Sequence, residues 1–159
     1  MKLKDQVCSF KLAKKLKKLR VKQDSLFYWV DETKLKRGWT ILRKGNLAPS
    51  NVKQISAFTV AELGEMLPEG IKATMSHLIP KYKHENGEEI SFYLYMKKQM
   101  RYKGWTYYYV EEFNHEGNGV QINNSSGNYD KNEANARAKM FVYLLENKLL
   151  RRGNDTTRF

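Results

Sequence analysis

The stretch HENGEEISFYLYMK, residues 84–97, decides the fold class of this chain. Its Asn86-Gly87 pair readily adopts the positive φ angles of a two-residue hairpin turn. After the turn, apolar side chains alternate with polar or tyrosine side chains from Ile90 to Lys97, as in a strand with one face on a core. We therefore predict an antiparallel hairpin with arms at residues 74–82 and 89–97.

Further strands are predicted on both sides of this hairpin. Residues 26–30, LFYWV, are rich in strand-forming side chains, and a polar turn joins them to a second arm at residues 39–43. A weaker strand is predicted within residues 52–58. The strand at residues 105–113 continues the meander, and a short strand is predicted at residues 120–122.

A first helix is predicted after Ser9, whose side chain can cap it. Apolar residues recur along one side of this helix at spacings typical of a single helical stripe: Cys8, Leu12, Leu16 and Leu19. Lysines fill the opposite side, so this is an amphipathic helix lying on a core. Arg20 follows the last apolar residue, where a left-handed cap prefers glycine, and the mismatch costs about 1 kcal/mol.

A second helix begins at Thr59, which forms a capping box with Glu62 three residues later. Pro68 ends this helix, because proline cannot continue the hydrogen-bonding pattern. Its apolar residues form one buried side, and Glu62, Glu65 and Glu69 are expected to face solvent.

Asp130 and Glu133 have the same capping-box spacing and predict the longest helix, from about residue 131 to residue 151. The fold class is therefore α+β, with an antiparallel sheet of about five to six strands packed by three helices. We predict one domain over residues 1–152 and a flexible tail over residues 153–159.

The charge of +12 is concentrated near the start of the sequence. Residues 1–60 carry 15 cations and 4 acids, and residues 6–23 carry no acid at all. The segment KLAKKLKKLRVK, residues 11–22, holds seven cations. Such a field attracts polyanions without specifying which one, and solubility is the competing explanation.

Two segments are candidates for nucleic-acid binding. The first is the basic helix face, where cations can bracket phosphates or simply keep the helix solvated: Lys11, Lys14, Lys15, Lys17, Lys18 and Arg20. The second lies in residues 97–110, where cations adjoin aromatic residues. Its candidate cations are Lys97, Lys98, Arg101 and Lys103, and its candidate stacking residues are Trp105 and Tyr107. The alternative for these aromatic residues is ordinary packing in a sheet.

Arg137 falls within the apolar arc of the last predicted helix, an unusual place for a permanent charge. Three outcomes are open for this side chain. It pairs with an acid such as Glu111 or Glu112, it lines a pocket, or it extends out to solvent near the start of the helix.

Several classes of protein are excluded or disfavoured. The chain has no phosphate-binding glycine loop, HExxH, GxSxG or CxxC motif, so we expect no enzyme and no cofactor. Its single cysteine forms no internal disulfide, and its three histidines lack zinc-site spacing. No secretory signal and no membrane-spanning run is evident, which favours a cytoplasmic location.

Three segments taken together resemble small proteins encoded in prophages and mobile elements of gut Bacteroidetes. They are VCSFKLAKKLKKLRVKQDSLFYWV, ISAFTVAELGEMLP and NEANARAKMFVYLLENKL. The resemblance implies a mobile-element origin and the cytoplasm of a bacterial host, but it carries no biochemical role and no functional residues. Relatives tend to have an acid within the first helix and glycine at the position of Arg20.

The leading hypothesis is a non-enzymatic phage or mobile-element accessory protein that binds DNA or RNA mainly through phosphates. The alternative is a protein-binding inhibitor or decoy that uses the same cations to reach an acidic host protein or ribonucleoprotein. A third possibility, an enzyme or small-ligand binder with an unfamiliar site, requires a pocket.

Overall fold

The computed structural model describes residues 2–32, 38–44, 52–74, 89–99, 104–111, 121–122 and 130–150. The described residues form an α+β fold with three α-helices and two antiparallel sheets. The Asn86-Gly87 turn and the tail at residues 153–159 lie outside these ranges. None of the helices in the described ranges is both long and apolar enough to cross a membrane.

The first sheet has three strands: β1 (Phe27–Asp31), β2 (Trp39–Arg43) and β3 (Gln54–Ser56). Strand β1 is central, and both neighbours pair with it in antiparallel fashion. All three strands lie within or next to their predicted ranges. Alternate residues of β1 are buried, as expected for strand-forming residues on a pleated surface.

The second sheet has four strands, in sequential order: β4 (Gly70–Thr74), β5 (Glu89–Gln99), β6 (Gly104–Glu111) and β7 (Gln121–Ile122). The described residues thus contain seven strands in two sheets, whereas about five to six strands were predicted and the number of sheets was left open. The arm that pairs with β5 begins earlier than predicted, since Gly70 lies opposite Tyr93 and Thr74 opposite Glu89. Residues 75–82, which held most of the predicted arm, lie outside the described ranges.

Three α-helices pack on these sheets: α1 (Phe10–Lys18), α2 (Val60–Met66) and α3 (Glu133–Glu146). Helix α3 is the longest, as predicted, but both of its ends differ from the prediction. Its N-cap is Asn132, whose side chain accepts a hydrogen bond from the Asn135 N–H, and not Asp130. It ends at Glu146 because Lys148 adopts a left-handed conformation with φ of 55°.

The capping box of α2 is present as predicted. The Thr59 side chain accepts the Glu62 N–H, and the Glu62 carboxylate accepts the Thr59 N–H at 2.7 Å. Glu62 was expected to face solvent, but it does not. Its carboxylate also accepts the Leu26 N–H at 2.8 Å and the Ser25 hydroxyl at 3.1 Å. Glu62 therefore joins the start of α2 to the segment that leads into β1.

Helices α1 and α3 lie side by side and run in the same direction. At their amino ends, the Ser9 N–H donates to the Asn135 side-chain oxygen at 2.7 Å. At their carboxyl ends, the Lys15 ammonium lies 3.0 Å from the Glu146 carboxylate. Both helices share one hydrophobic core with α2, β3 and β4.

Arg137 does not extend freely into solvent, and the side chains of Glu111 and Glu112, the acids proposed as its partners from the sequence, lie outside the described part of the structure. The Arg137 guanidinium lies 2.8 Å from the Glu133 carboxylate, one helical turn earlier, and both side chains are 19% exposed. It also packs over Gly64 of α2, where any side chain would collide with the guanidinium. A side chain at position 64 would therefore displace the Arg137 guanidinium from its present position.

Candidate nucleic-acid interface

The six cations of the first candidate segment are all exposed along α1 and its carboxyl end. The helix is oriented by its apolar side, since Ala13 and Leu16 are fully buried and Leu12 and Leu19 pack at the edge of the core. The alternation of leucine and lysine in the sequence therefore produces the predicted amphipathic helix. We call the exposed residues Lys11, Lys14, Lys15, Lys17, Lys18 and Arg20 the basic face.

Arg20 adopts the left-handed conformation predicted for its position, with φ of 65°. Its N–H donates to the Lys17 carbonyl, and the Val21 N–H donates to the Leu16 carbonyl. These two bonds form a Schellman motif, and the buried side chains of Leu16 and Val21 supply its usual apolar contact. An arginine therefore occupies a backbone position that favours glycine.

Three lysines of the basic face have structural contacts. Lys15 pairs with Glu146, and the Lys17 ammonium donates to the Gln54 carbonyl at 3.2 Å. The Lys14 ammonium lies 5.3 Å from the centre of the Phe10 ring. Because these contacts are at the surface, each is worth about 1 kcal/mol or less, and all three ammonium groups remain accessible.

Lys11, Lys18 and Arg20 have no hydrogen bond or ion pair with any described residue. Lys18 lies in the last turn of α1, where a cation interacts favourably with the helix dipole. Lys11 lies in the first turn, which contains no acid, and there a cation opposes the dipole. Fold stability thus accounts for Lys18 but not for Lys11.

The second candidate segment is described only in part. Lys97 and Lys98 lie in β5, opposite Thr106 and Trp105 of β6, and Tyr107 lies opposite Met96. Trp105 is half-buried, packs against the core, and exchanges two backbone hydrogen bonds with Asp130. Arg101 and Lys103 lie outside the described residues.

An aromatic cluster beside the basic face was not identified from the sequence. It consists of Phe10, Trp29 and Trp39, all half-buried. The ring centres of Phe10 and Trp39 are 4.2 Å apart, and those of Phe10 and Trp29 are 6.0 Å apart. The available signal was the position of Phe10 at the start of the lysine-rich helix, but the sequence does not show which strands the helix packs on.

The described residues contain no group of three side chains that could hold a metal ion. Cys8 is fully buried, and burial raises the pKa of its thiol to about 12. The thiol therefore stays protonated at neutral pH, which makes it a packing residue and a poor nucleophile.

Comparison of the chain with protein-family models, with curated proteins and with solved structures found no match. The geometry of the basic face is therefore the basis on which a function is proposed.

Proposed function

We propose that this protein is a non-enzymatic accessory protein of a phage or mobile element that binds nucleic acid in the cytoplasm of a bacterial host. The basic face of α1 makes the main contacts, and these contacts are to phosphates. A second contact involves Lys97, Lys98, Arg101 and Lys103. The alternative, an inhibitor or decoy directed at an acidic host protein or ribonucleoprotein, would use the same basic face.

The observation that carries this proposal is that Lys11, an exposed cation of the basic face, is placed where it destabilises the fold. Lys11 opposes the dipole of α1, at a cost of about 0.3–1 kcal/mol. Solubility alone does not require a cation at this position, whereas a binding surface for a polyanion does.

Lysine ammonium groups contact phosphates as point charges and read no base edges, so binding by the basic face tolerates changes of sequence. Lys11, Lys14 and Lys18 are spaced so that they follow one side of the helix. If these three neutralise three phosphates, affinity falls about 20- to 40-fold between 50 and 200 mM salt.

The test is a titration of fluorescently labelled oligonucleotides, followed by anisotropy at two salt concentrations. The triple variant K11Q/K14Q/K18Q should lower affinity at low salt at least tenfold and make the salt dependence shallower. The matched control K2Q/K4Q/K131Q removes the same charge from exposed positions outside α1. Equal losses of affinity in both variants would show that binding depends only on net charge, and this would contradict the proposal.

Absence of binding at micromolar protein concentration and low salt would also overturn the proposal. Capture of partners from host lysate, with and without nuclease treatment, then distinguishes nucleic-acid binding from the alternative of an inhibitor or decoy. A protein partner that survives nuclease treatment and is lost from K11Q/K14Q/K18Q would support the inhibitor or decoy, because the same charges steer protein association.

A further inference from the structure

The aromatic cluster lies at the amino end of the basic face and is continuous with it. Phe10 is the first residue of α1, so the next turn of the helix carries Lys14 directly above its ring. On the other side, Phe10 contacts Trp39 at 4.2 Å with the two ring planes 34° apart. A cation and two contacting aromatic rings are thus arranged in sequence from the helix to the sheet.

The two tryptophans of the cluster differ in how they are held. The Trp29 indole N–H donates to the Cys8 carbonyl at 3.1 Å, and its strand is the centre of the first sheet. Trp39 is the first residue of β2, an outer strand, and its indole N–H has no hydrogen bond to a described residue. Trp29 is therefore anchored by the fold, whereas no described residue accepts the Trp39 indole N–H.

Trp39 also retains accessible surface. It is only half-buried, although its indole ring contacts Phe10 and packs against the core. Aromatic rings next to cations are the combination that holds single-stranded nucleic acid, because a base stacks on the ring while its phosphate pairs with the cation. In a duplex the bases are already stacked on one another and are not available to such a ring.

We infer that Trp39, supported by Phe10, stacks an unpaired base of single-stranded DNA or RNA whose phosphates lie along Lys11, Lys14 and Lys18. This inference rests on the proposed function, and it specifies that the bound nucleic acid is single-stranded. It places the stacking residue on β2 beside α1, and not at Trp105 or Tyr107 of β6.

The test compares three probes of equal length: oligothymidine, an abasic oligonucleotide, and a duplex. Stacking is worth about 1–3 kcal/mol per base, which corresponds to about 5- to 150-fold in affinity. Wild-type protein should therefore bind oligothymidine at least fivefold more tightly than the abasic strand. W39L should bind both strands with equal affinity, because leucine fills apolar space but offers no ring. W39F should keep most of the preference for oligothymidine.

The outcomes separate the stacking site from the proposed function. If no probe binds at low salt, the proposed function fails and the inference fails with it. If wild-type protein binds oligothymidine and the abasic strand equally, the phosphate contacts stand and the stacking site is refuted. If W105L loses the base preference while W39L keeps it, the site lies on β6. Circular dichroism and thermal melting of each variant verify that it is folded.

Discussion

Arg20 and Lys148 occupy equivalent positions in their helices. Each lies just after the carboxyl end of its helix and adopts a left-handed conformation. At both ends the Schellman hydrogen bonds are complete, so the backbone adopts this conformation without glycine. The apolar contact on either side of each cap, for example Leu16 with Val21, provides the stabilisation that offsets the unfavourable φ.

Replacing Arg20 with glycine should therefore stabilise the fold while weakening nucleic-acid binding. Relief of the left-handed strain is worth about 1 kcal/mol, reduced somewhat by the greater entropy of glycine in the unfolded chain. Urea unfolding measures the change in stability, and oligonucleotide titration measures the change in binding affinity. K148G is the matched control for stability at the equivalent cap of α3; a loss of stability in both variants would contradict the argument.

The Cys8 thiol should be unreactive toward a thiol-specific disulfide reagent at pH 8 in the folded protein. Its folded pKa of about 12 lies above the ordinary value of 9.0, so the thiolate is scarce while the side chain is buried. In urea, one thiol per chain should react rapidly. Because the folded pKa is raised, the contribution of this thiol to stability is present below pH 9 and is lost as pH rises toward 12. Rapid reaction under native conditions would contradict the burial of Cys8.

At the scale of elements, Glu62 shows how a local sequence signal acquires a second role. The spacing of Thr59 and Glu62 predicts the capping box from sequence alone, because both partners belong to one helical turn. The hydrogen bonds from Ser25 and Leu26 come from a segment about 36 residues away along the chain, and no local pattern indicates them. The element was predictable, whereas its tertiary contact was not.

E62A should destabilise the protein by about 2–3 kcal/mol, because it removes one half of the capping box and the hydrogen bonds from the Leu26 N–H and the Ser25 hydroxyl. E65A is the matched control, since Glu65 is exposed on the same helix and its loss should change stability by less than about 0.5 kcal/mol. The free energy of unfolding in urea measures both. Equal effects would show that the contacts of Glu62 outside its helix contribute nothing.

Asp130 connects β6 with the start of α3 and should make the fold sensitive to acid. Burial alone raises its pKa, but hydrogen bonds from the Asn132 N–H, Lys139 and Asn135 outweigh burial, so the pKa is lowered from 3.8. The stabilisation is therefore present above about pH 4 and is lost as pH falls through the folded pKa. D130N should be less stable than wild type at pH 7, and the difference should shrink in thermal melts below pH 3.8. A difference that is constant with pH would contradict this assignment.

At the scale of the whole molecule, the α+β class, the strands of the first sheet and the amphipathic character of α1 were predictable from sequence. They follow from turn chemistry, strand-forming residues and helical spacing, all of which are local. The division of the strands into two sheets was not predictable, because pairing between distant strands leaves no local signal. The aromatic cluster was missed for the same reason, since Phe10 and Trp39 meet only through the packing of α1 on β1 and β2.

The side-by-side alignment of α1 and α3 also bears on how the protein is made. The bond between Ser9 and Asn135 joins residues 126 positions apart, so a ribosome must release almost the whole chain before α1 can pack on α3. Until then the side of α1 that packs on α3 is uncovered. Contacts of such long sequence separation slow folding. We therefore expect nascent chains that end before residue 132 to bind chaperones, and α1 to become protected from proteolysis only after α3 has emerged.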